Sequence, residues 1–146
     1  MHTPTTPETK QVNHPISADA LETFDAPSSV PFVERFEIPE FTSLCPKTGQ
    51  PDFANIVIWY QPDKRCVELK ALKMWMWSFR DVGAYHEKLT ADICADLAKK
   101  LEPKWLFVEG NFWVRGGVHT VVYAEHGAVP EALKIARLNK TDYRGY

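Results

Sequence analysis

The chain has 146 residues, enough for one domain with an ordinary hydrophobic core. Its composition is 45% hydrophobic and 25% charged, as in globular proteins, and a net charge of −2 gives no reason to expect nucleic acid or an anionic membrane as a partner. No apolar run approaches the roughly 20 residues that span a bilayer, and the first residues lack the hydrophobic stretch of a signal peptide. The three cysteines are too widely spaced to indicate a disulfide framework or a metal site, so we expect a cytoplasmic protein with reduced thiols and no metal.

The two ends of the chain differ in composition from its middle. Residues 1–29 are rich in Thr, Pro, Ser and acidic residues and show no sustained apolar period. We therefore expect a flexible N-terminal arm, with order beginning near Val30. Residues 30–127 form the predicted folded domain, and residues 128–146 form a C-terminal tail packed on or near it.

The elements of the domain are predicted from apolar patterning and turn residues. Runs of β-branched and aromatic residues indicate strands. Fourfold apolar spacing through Ile93, Leu97 and Leu101 indicates a helix that ends before Pro103. In chain order we predict strands at 53–60 and 66–71, a short helix capped by Ser78 and ending near Gly83, the longer helix to Leu101, and strands at 104–114 and 118–124 joined through the Arg-Gly-Gly sequence at 115–117.

This element order predicts an α+β fold, an antiparallel four-stranded sheet with helices on one face. Such a sheet leaves two open edges, and exposed edges of long aromatic strands pair readily with another chain. The five tryptophans are also many large side chains for so small a core. A ring of subunits closed through their sheets removes both difficulties, so we expect a homo-oligomer.

A cysteine and an aspartate seven residues apart are the strongest chemical signal. Cys45 and Asp52 are joined by a segment with two prolines and a glycine, which cannot continue a helix or strand and therefore displays its polar groups. A displayed thiol beside an acid suits covalent catalysis. The structural alternative is a half-buried loop cysteine with an aspartate that stabilises a turn.

The sequence Glu-Leu-Lys-Ala-Leu-Lys-Met-Trp at 68–75 is the second signal. One interpretation is an ordinary strand whose charged residues face water and whose lysines guard a sheet edge. The other is that Lys70 and Lys73 bind phosphates while an aromatic ring packs on a nucleoside. The chain contains neither GxGxxG nor GxxxxGK[ST], so a nucleotide would occupy a site of another kind.

The third signal is Tyr-His-Glu at 85–87, at the start of the longer predicted helix. A glutamate in a first helical turn often only complements the helix dipole, and a lone histidine is usually structural or exposed. The functional interpretation is that the carboxylate of Glu87 accepts two hydrogen bonds from the N–H groups of a guanine-like base edge.

Together these motifs resemble the QueF family of NADPH-dependent 7-cyano-7-deazaguanine reductases, in its short, single-module type. The resemblance lies in the Cys-Pro-x3-Gln-Pro-Asp-Phe loop at 45–53, the Glu-x-Lys-x-x-Lys signature from residue 68, and the Phe/Tyr-His-Glu helix start at 85–87. It covers about residues 30–125. Met74 stands where the signature usually has leucine or tryptophan, a nearly volume-neutral difference.

The resemblance implies a tunnelling fold (T-fold). Each subunit of that fold is a ββααββ unit, the sheets of five subunits join into a barrel, and two barrels stack. The active sites of such assemblies lie between subunits. The implied reaction is reduction of the nitrile of 7-cyano-7-deazaguanine to an aminomethyl group with two NADPH per turnover, a step in queuosine biosynthesis for tRNA modification. The substrate is a small molecule, and no direct contact with nucleic acid is expected.

The resemblance also implies residue roles. Cys45 would be the nucleophile that forms a covalent thioimide, and Asp52 the proton donor to the nitrile nitrogen. The substrate-binding residues would be Val67, Glu68, Leu69, His86 and Glu87. Our candidates for the NADPH phosphates are Lys70, Lys73 and Arg115, whereas Cys66 and Cys94 match no catalytic position and are expected to be packing residues.

Two other functions remain open from the residues. One is a different purine or pterin enzyme of the T-fold superfamily, such as a GTP cyclohydrolase-like protein, although the cysteine and histidine positions show no zinc-ligand spacing. The other is a non-enzymatic oligomer that binds single-stranded nucleic acid through aromatics and lysines, which the acidic balance disfavours.

Overall fold

The computed structural model describes residues 13–140. Its strands are β1 (Thr23–Asp25), β2 (Glu34–Leu44), β3 (Pro51–Gln61), β4 (Arg65–Val67), β5 (Trp105–Arg115) and β6 (Val118–Gly127). Its α-helices are α1 (Leu69–Trp77), α2 (His86–Leu101) and α3 (Glu131–Leu138), with short 3-10 helices at Ala18–Ala20 and Ser78–Asp81. Within the described residues, no helix is long and apolar enough to cross a membrane.

The main sheet has the strand order β2-β3-β5-β6, and every neighbouring pair is antiparallel. The inner strands β3 and β5 are the most apolar, since both of their faces are covered by protein. Ile56 lies opposite Gly110 and Ile58 opposite Val108, which fixes the register of the central pair. Consecutive side chains alternate between the two faces of the sheet.

Helices α1 and α2 cover one face of this sheet and form the main core with it. Ile56, Ile58 and Tyr60 of β3 point into this core. The apolar stripe of α2 enters the same core through Ile93, Leu97 and Leu101, as its fourfold spacing predicted. The strand-strand-helix-helix-strand-strand order of the predicted T-fold unit is therefore present.

Part of the opposite face of the sheet is covered by the C-terminal segment. Val57 and Trp59 alternate with the core residues of β3 and pack with Trp105, Phe107 and Val129 in a second cluster. Helix α3 contributes Leu133, which packs against this cluster. The predicted tail thus contains a helix that packs on the domain, and its last residues, 141–146, lie outside the described part of the chain.

One predicted strand is wrong, and one strand of the main sheet was not predicted. The strand predicted at 66–71 ends at Val67, because the Glu68 carboxylate caps α1 by accepting hydrogen bonds from the N–H groups of Lys70 (3.0 Å) and Ala71 (2.7 Å). In the main sheet β3 pairs with β5 on one side and with β2 on the other, and the patterning had not indicated β2. The predicted helix capped by Ser78 is also displaced, because α1 begins nine residues before it at Leu69.

Residues 13–29 pack on the domain, where we expected a flexible arm. Strand β1 pairs with β4, and Leu21 is 5% exposed within the main core. Lys100 of α2 donates a hydrogen bond to the Asp19 carbonyl at 2.7 Å. Order therefore begins before Val30, because one buried leucine and a short strand anchor a segment of polar composition. The predicted arm's first 12 residues lie outside the described residues.

Candidate active site

The nucleophile predicted from sequence lies in a tight loop between β2 and β3. Two backbone hydrogen bonds of 2.8 Å close this loop, from Cys45 N–H to the Gln50 carbonyl and from Gly49 N–H to the Cys45 carbonyl. Gly49 has a φ of 69°, a left-handed conformation that residues with a side chain rarely adopt. The loop thus holds Cys45 half-exposed at the end of the sheet, as the proline and glycine content predicted.

The loop lowers the pKa of the Cys45 thiol from 9.0 to about 7. The main cause is a hydrogen bond from the Thr48 side chain, followed by backbone N–H groups at Thr48 and Lys47, with a further contribution from Arg115. These donors stabilise the thiolate, so a large share of Cys45 is the reactive anion at neutral pH.

The other two cysteines behave in the opposite way. Cys66 and Cys94 are buried, at 1% and 4% exposed. Burial raises the pKa of each thiol to about 11, because the charged form loses its hydration. Their positions in the core are those expected of packing residues.

Asp52 lies at the start of β3, directly after the loop. Its side chain is 3% exposed and contacts residues from two other elements. Arg115 Nη1 lies 2.7 Å from Asp52 Oδ1, and His86 Nε2 lies 3.4 Å from Oδ2. The Arg115 contact is close but not aligned as a hydrogen bond, and Oδ1 accepts none from any described residue. The buried Asp52 carboxylate therefore lies between the two basic side chains, Arg115 and His86, directly after the cysteine loop.

His86 is the first residue of α2, and its ring is fixed by stacking. The imidazole lies 3.8 Å from the Phe112 ring at an interplanar angle of 6°. The main-chain carbonyl of His86 also accepts a hydrogen bond from the Thr90 hydroxyl at 2.9 Å. Glu87 follows in the same helical turn and is exposed, so its carboxylate is available to a ligand.

The structure brings together four of the predicted site residues, Cys45, Asp52, His86 and Arg115. We call them, with Thr48 and Gln50, the nucleophile cluster. Thr48 and Gln50 were not among the predicted site residues, although both are polar residues inside the Cys45–Asp52 loop. Arg115 was expected among the phosphate-binding residues, yet its guanidinium contacts Asp52 and Gln50.

Three of the other predicted residues, Leu69, Lys70 and Lys73, lie on α1, and Glu68 is the N-cap of that helix. A groove of about 1030 Å³ runs between β2 and α1 and is lined by Glu68, Leu69, Lys70 and Lys73, with Arg80 also on its wall. Leu44 and Pro51, which flank the cysteine loop, line the same groove. Val67 is buried in the core, and its N–H donates to the Tyr60 hydroxyl at 3.1 Å.

These features define an α+β protein with a candidate cysteine nucleophile and an adjoining groove whose wall carries both basic and acidic side chains: Lys70, Lys73 and Arg80, and Glu37, Glu40, Glu68 and Asp81. Within the described residues, no group of three or more His, Cys, Asp or Glu side chains could hold a metal ion. The family model described as "QueF-like protein" matches residues 51–131.

Proteins of high similarity carry one name. The chain is 56% identical over 111 residues to the NADPH-dependent 7-cyano-7-deazaguanine reductase of Anaeromyxobacter dehalogenans (strain 2CP-C), covering 75% of this chain and 91% of the relative. It is 58% identical over 107 residues to the reductase of the same name from Alkalilimnicola ehrlichii, covering 73% and 83%. The chain belongs to the QueF family of NADPH-dependent 7-cyano-7-deazaguanine reductases.

A solved structure supports the fold. The apo form of the archaeosine synthase QueF-Like aligns with a TM-score of 0.64, covering 70% of this chain and all of that chain, at 24% identity. At this identity the likeness concerns the fold alone, and it confirms the predicted T-fold unit.

Proposed function

We propose that this protein reduces the nitrile of 7-cyano-7-deazaguanine to an aminomethyl group with NADPH, as a step of queuosine biosynthesis. The observation that carries the proposal is the half-exposed Cys45 thiol, whose pKa is lowered to about 7, in one cluster with the buried Asp52. Family membership supplies the substrate, because the relatives are named for this reaction.

The first step is addition of the thiol across the nitrile. The Cys45 sulfur forms a bond to the nitrile carbon, one carbon–nitrogen π bond breaks, and the nitrogen takes up a proton. Asp52 carries that proton, since one carboxyl group can receive it from sulfur and deliver it to nitrogen. The product is a thioimide, which accepts hydride more readily than the unactivated nitrile.

NADPH, when bound, would supply a hydride to the former nitrile carbon in each of two reductions. Between them the carbon–sulfur bond breaks, Cys45 leaves as the thiolate, and an imine remains as the acceptor of the second hydride. We assign this co-substrate to the groove beside α1, on the side of its wall that carries Lys70, Lys73 and Arg80 and away from the carboxylates of Glu37 and Glu40 on β2. Lys70 and Lys73 are exposed on its wall and can pair with phosphates, while its apolar lining suits the flat rings. Because Leu44 and Pro51 also line the groove, a dinucleotide along α1 reaches the cysteine loop.

Recognition of the base falls to the start of α2. Glu87 accepts hydrogen bonds from the base edge, and His86 lies beside the reacting group against Asp52. Val67, Glu68 and Leu69 are the further predicted substrate contacts. Val67 is buried and its N–H donates to Tyr60, and the Glu68 carboxylate caps α1. Leu69, at 65% exposed, is therefore the most available of the three to a ligand.

The working form is a homo-oligomer of stacked pentameric rings in the cytoplasm. Strands β2 and β6 each have a neighbour on one side only, which leaves two edges for pairing between subunits. Large apolar side chains are exposed as well, among them Trp77 at 57%, Trp113 at 44% and Phe53 at 39%. Pairing between subunits covers such surfaces and places the active sites between chains.

The test is NADPH oxidation with 7-cyano-7-deazaguanine as the only acceptor. We expect two NADPH to be consumed per nitrile, and the aminomethyl product to form. Absorbance measures the NADPH consumed, and mass spectrometry identifies the product. Guanine, which has the same base edge and no nitrile, is the control and should cause no oxidation. Absence of oxidation with the nitrile, in a protein shown to be folded, contradicts the proposal.

A further inference from the structure

We infer that Arg115 is a positioning residue of the nucleophile cluster, which holds the cysteine loop and Asp52 in place for addition to the nitrile. The inference rests on the proposed function and assigns Arg115 a role in the step that needs no NADPH. Its position in the sequence had suggested a phosphate ligand instead.

The backbone at the end of β5 directs the Arg115 side chain. The pairing of β5 with β6 shifts register between Phe112 and Arg115, and such a bulge re-aims the side chain that follows it. Gly116 and Gly117 then turn the chain with φ values of 54° and 78°. The side chain at this hairpin end therefore reaches toward the neighbouring start of β3, where Asp52 lies.

The two terminal nitrogens of the guanidinium contact two different residues of the loop region. Nη1 lies 2.7 Å from Asp52 Oδ1, and Nη2 donates a hydrogen bond to Gln50 Oε1 at 3.0 Å. The Gln50 backbone carbonyl in turn accepts the Cys45 N–H. One planar fork thus connects the proton carrier with the segment that holds the nucleophile, which a single ammonium group cannot reproduce.

This geometry leaves the guanidinium poorly disposed to serve as a phosphate ligand. A phosphate bound to Nη1 or Nη2 would compete with Asp52 and Gln50, whereas Lys70 and Lys73 lie on a different element, α1. The positive charge also favours the Cys45 thiolate, and Arg115 is among the groups that lower the pKa of that thiol.

The test measures covalent addition in the absence of NADPH. The full-length wild type and the variants are mixed with 7-cyano-7-deazaguanine, and the adduct is followed with time by intact-protein mass spectrometry. We expect Arg115→Met to slow adduct formation by about 10- to 100-fold, since the proton carrier loses its position, and Arg115→Lys to recover part of that loss. Arg65→Met is the control, because Arg65 pairs with Glu102 at an exposed site outside the cluster.

A second readout needs no nitrile. Alkylation of Cys45 by iodoacetamide is measured against pH, and we expect the midpoint for Arg115→Met to move above the wild-type value. The other titratable groups of the cluster, Asp52 and His86, are unchanged in this variant. If Arg115→Met does not fold, as judged by circular dichroism, Gln50→Ala is used in both experiments, with a smaller rate loss expected.

The outcomes separate the two proposals. If Arg115→Met forms the adduct as fast as the wild type and only its KM for NADPH is raised, the positioning role is overturned. Failure of the wild type to form any adduct overturns the covalent first step, and failure to oxidise NADPH as well overturns the proposed function; in either case the alkylation midpoint tests the contact between Arg115 and the cysteine loop by itself. A slower adduct together with a raised midpoint supports the inference.

Discussion

Two buried carboxylates on the main sheet, each paired with an arginine, differ in how completely they are satisfied. Glu109 on β5 is 1% exposed and receives two hydrogen bonds from Arg137 of α3, from Nε at 2.8 Å and from Nη2 at 2.7 Å. Asp52 on β3 is also buried, but its contact with Arg115 is not aligned as a hydrogen bond. In the Glu109–Arg137 pair both contacts are aligned hydrogen bonds, whereas in the Asp52–Arg115 pair the close contact is not aligned as one.

The difference follows from what surrounds each pair. Trp59 packs under the Arg137 guanidinium at 5.2 Å, and α3 closes that face of the sheet. Asp52 instead borders a loop with a half-exposed thiol and an arginine whose side chain is 37% exposed. A complete bidentate pair fixes structure. Asp52 instead lies between Arg115, His86 and the cysteine loop, and it is the carboxylate for which we propose a catalytic role.

The largest expected effect separates the two carboxylates by their amide variants. Asp52→Asn should lower the rate of adduct formation by about 10²- to 10⁴-fold with little change in unfolding, because it removes the proton carrier and keeps the shape. Glu109→Gln is the matched control and should weaken folding while the folded enzyme keeps its turnover. Rates and urea unfolding are measured on both. A fast Asp52→Asn enzyme would remove Asp52 from the mechanism.

The Glu109–Arg137 pair is tested by removing its arginine. Arg137→Met leaves the Glu109 carboxylate buried without its partner, and we expect the free energy of unfolding to fall by about 3–5 kcal/mol. Urea unfolding at fixed protein concentration measures this, since an oligomer's stability depends on concentration. Arg65→Met, at an exposed pair, should change stability little. If Arg137→Met lowered the free energy of unfolding as little as Arg65→Met does, the Glu109–Arg137 pair would not stabilise the fold.

A third carboxylate, the exposed Glu87, extends the comparison from buried groups to a ligand-binding one. Glu87→Gln should weaken binding of the nitrile base by about 10- to 100-fold, because a hydrogen bond to a charged acceptor is worth roughly 1.5–3 kcal/mol. Calorimetry on the Cys45→Ala background measures binding without adduct formation. Glu131→Gln, which changes another first-turn helical glutamate, is the control. Equal affinities of the two variants would argue against a role for Glu87.

The sequence was sufficient for the parts of the fold with strong periodicity. Helix α2 and strands β3, β5 and β6 follow from fourfold spacing and from β-branched runs. Strand β2 was missed because Pro39 and several charged residues dilute its apolar pattern, although Phe36 and Ile38 do alternate with charged residues. As an edge strand, it tolerates a proline at the irregular pairing between Ile38 and Phe41.

The segment that begins at Glu68 shows why local patterning is ambiguous. Alternating apolar residues fit a strand, but the same residues open a helix once the Glu68 side chain caps two N–H groups. In the site, the loop could be recognised from its prolines and its cysteine. The contacts of Arg115 could not, because they depend on a bulge in the β5–β6 pairing and on the pairing of β5 with β3, which brings Arg115 to Gln50, 65 residues earlier in the chain.

The smallest expected effect concerns the Cys45 thiol, beside the Asp52–Arg115 pair. Thr48→Val removes the hydroxyl that contributes most to the low pKa of Cys45, so the pKa should rise from about 7 toward 9.0. The thiolate fraction at pH 7 then falls, and alkylation should slow by up to about tenfold. Peptide mapping after iodoacetamide treatment measures the alkylation rate of each cysteine. Cys66 and Cys94 serve as internal controls, because burial holds the pKa of each at about 11.

The most direct test of the account is the mass of the protein after incubation with 7-cyano-7-deazaguanine in the absence of NADPH. The wild type should gain the mass of one base per chain, with the modified peptide containing Cys45, and Cys45→Ala should gain none. An equal gain by Cys45→Ala, or NADPH oxidation by a wild type in which Cys45 is never modified, would contradict the covalent mechanism.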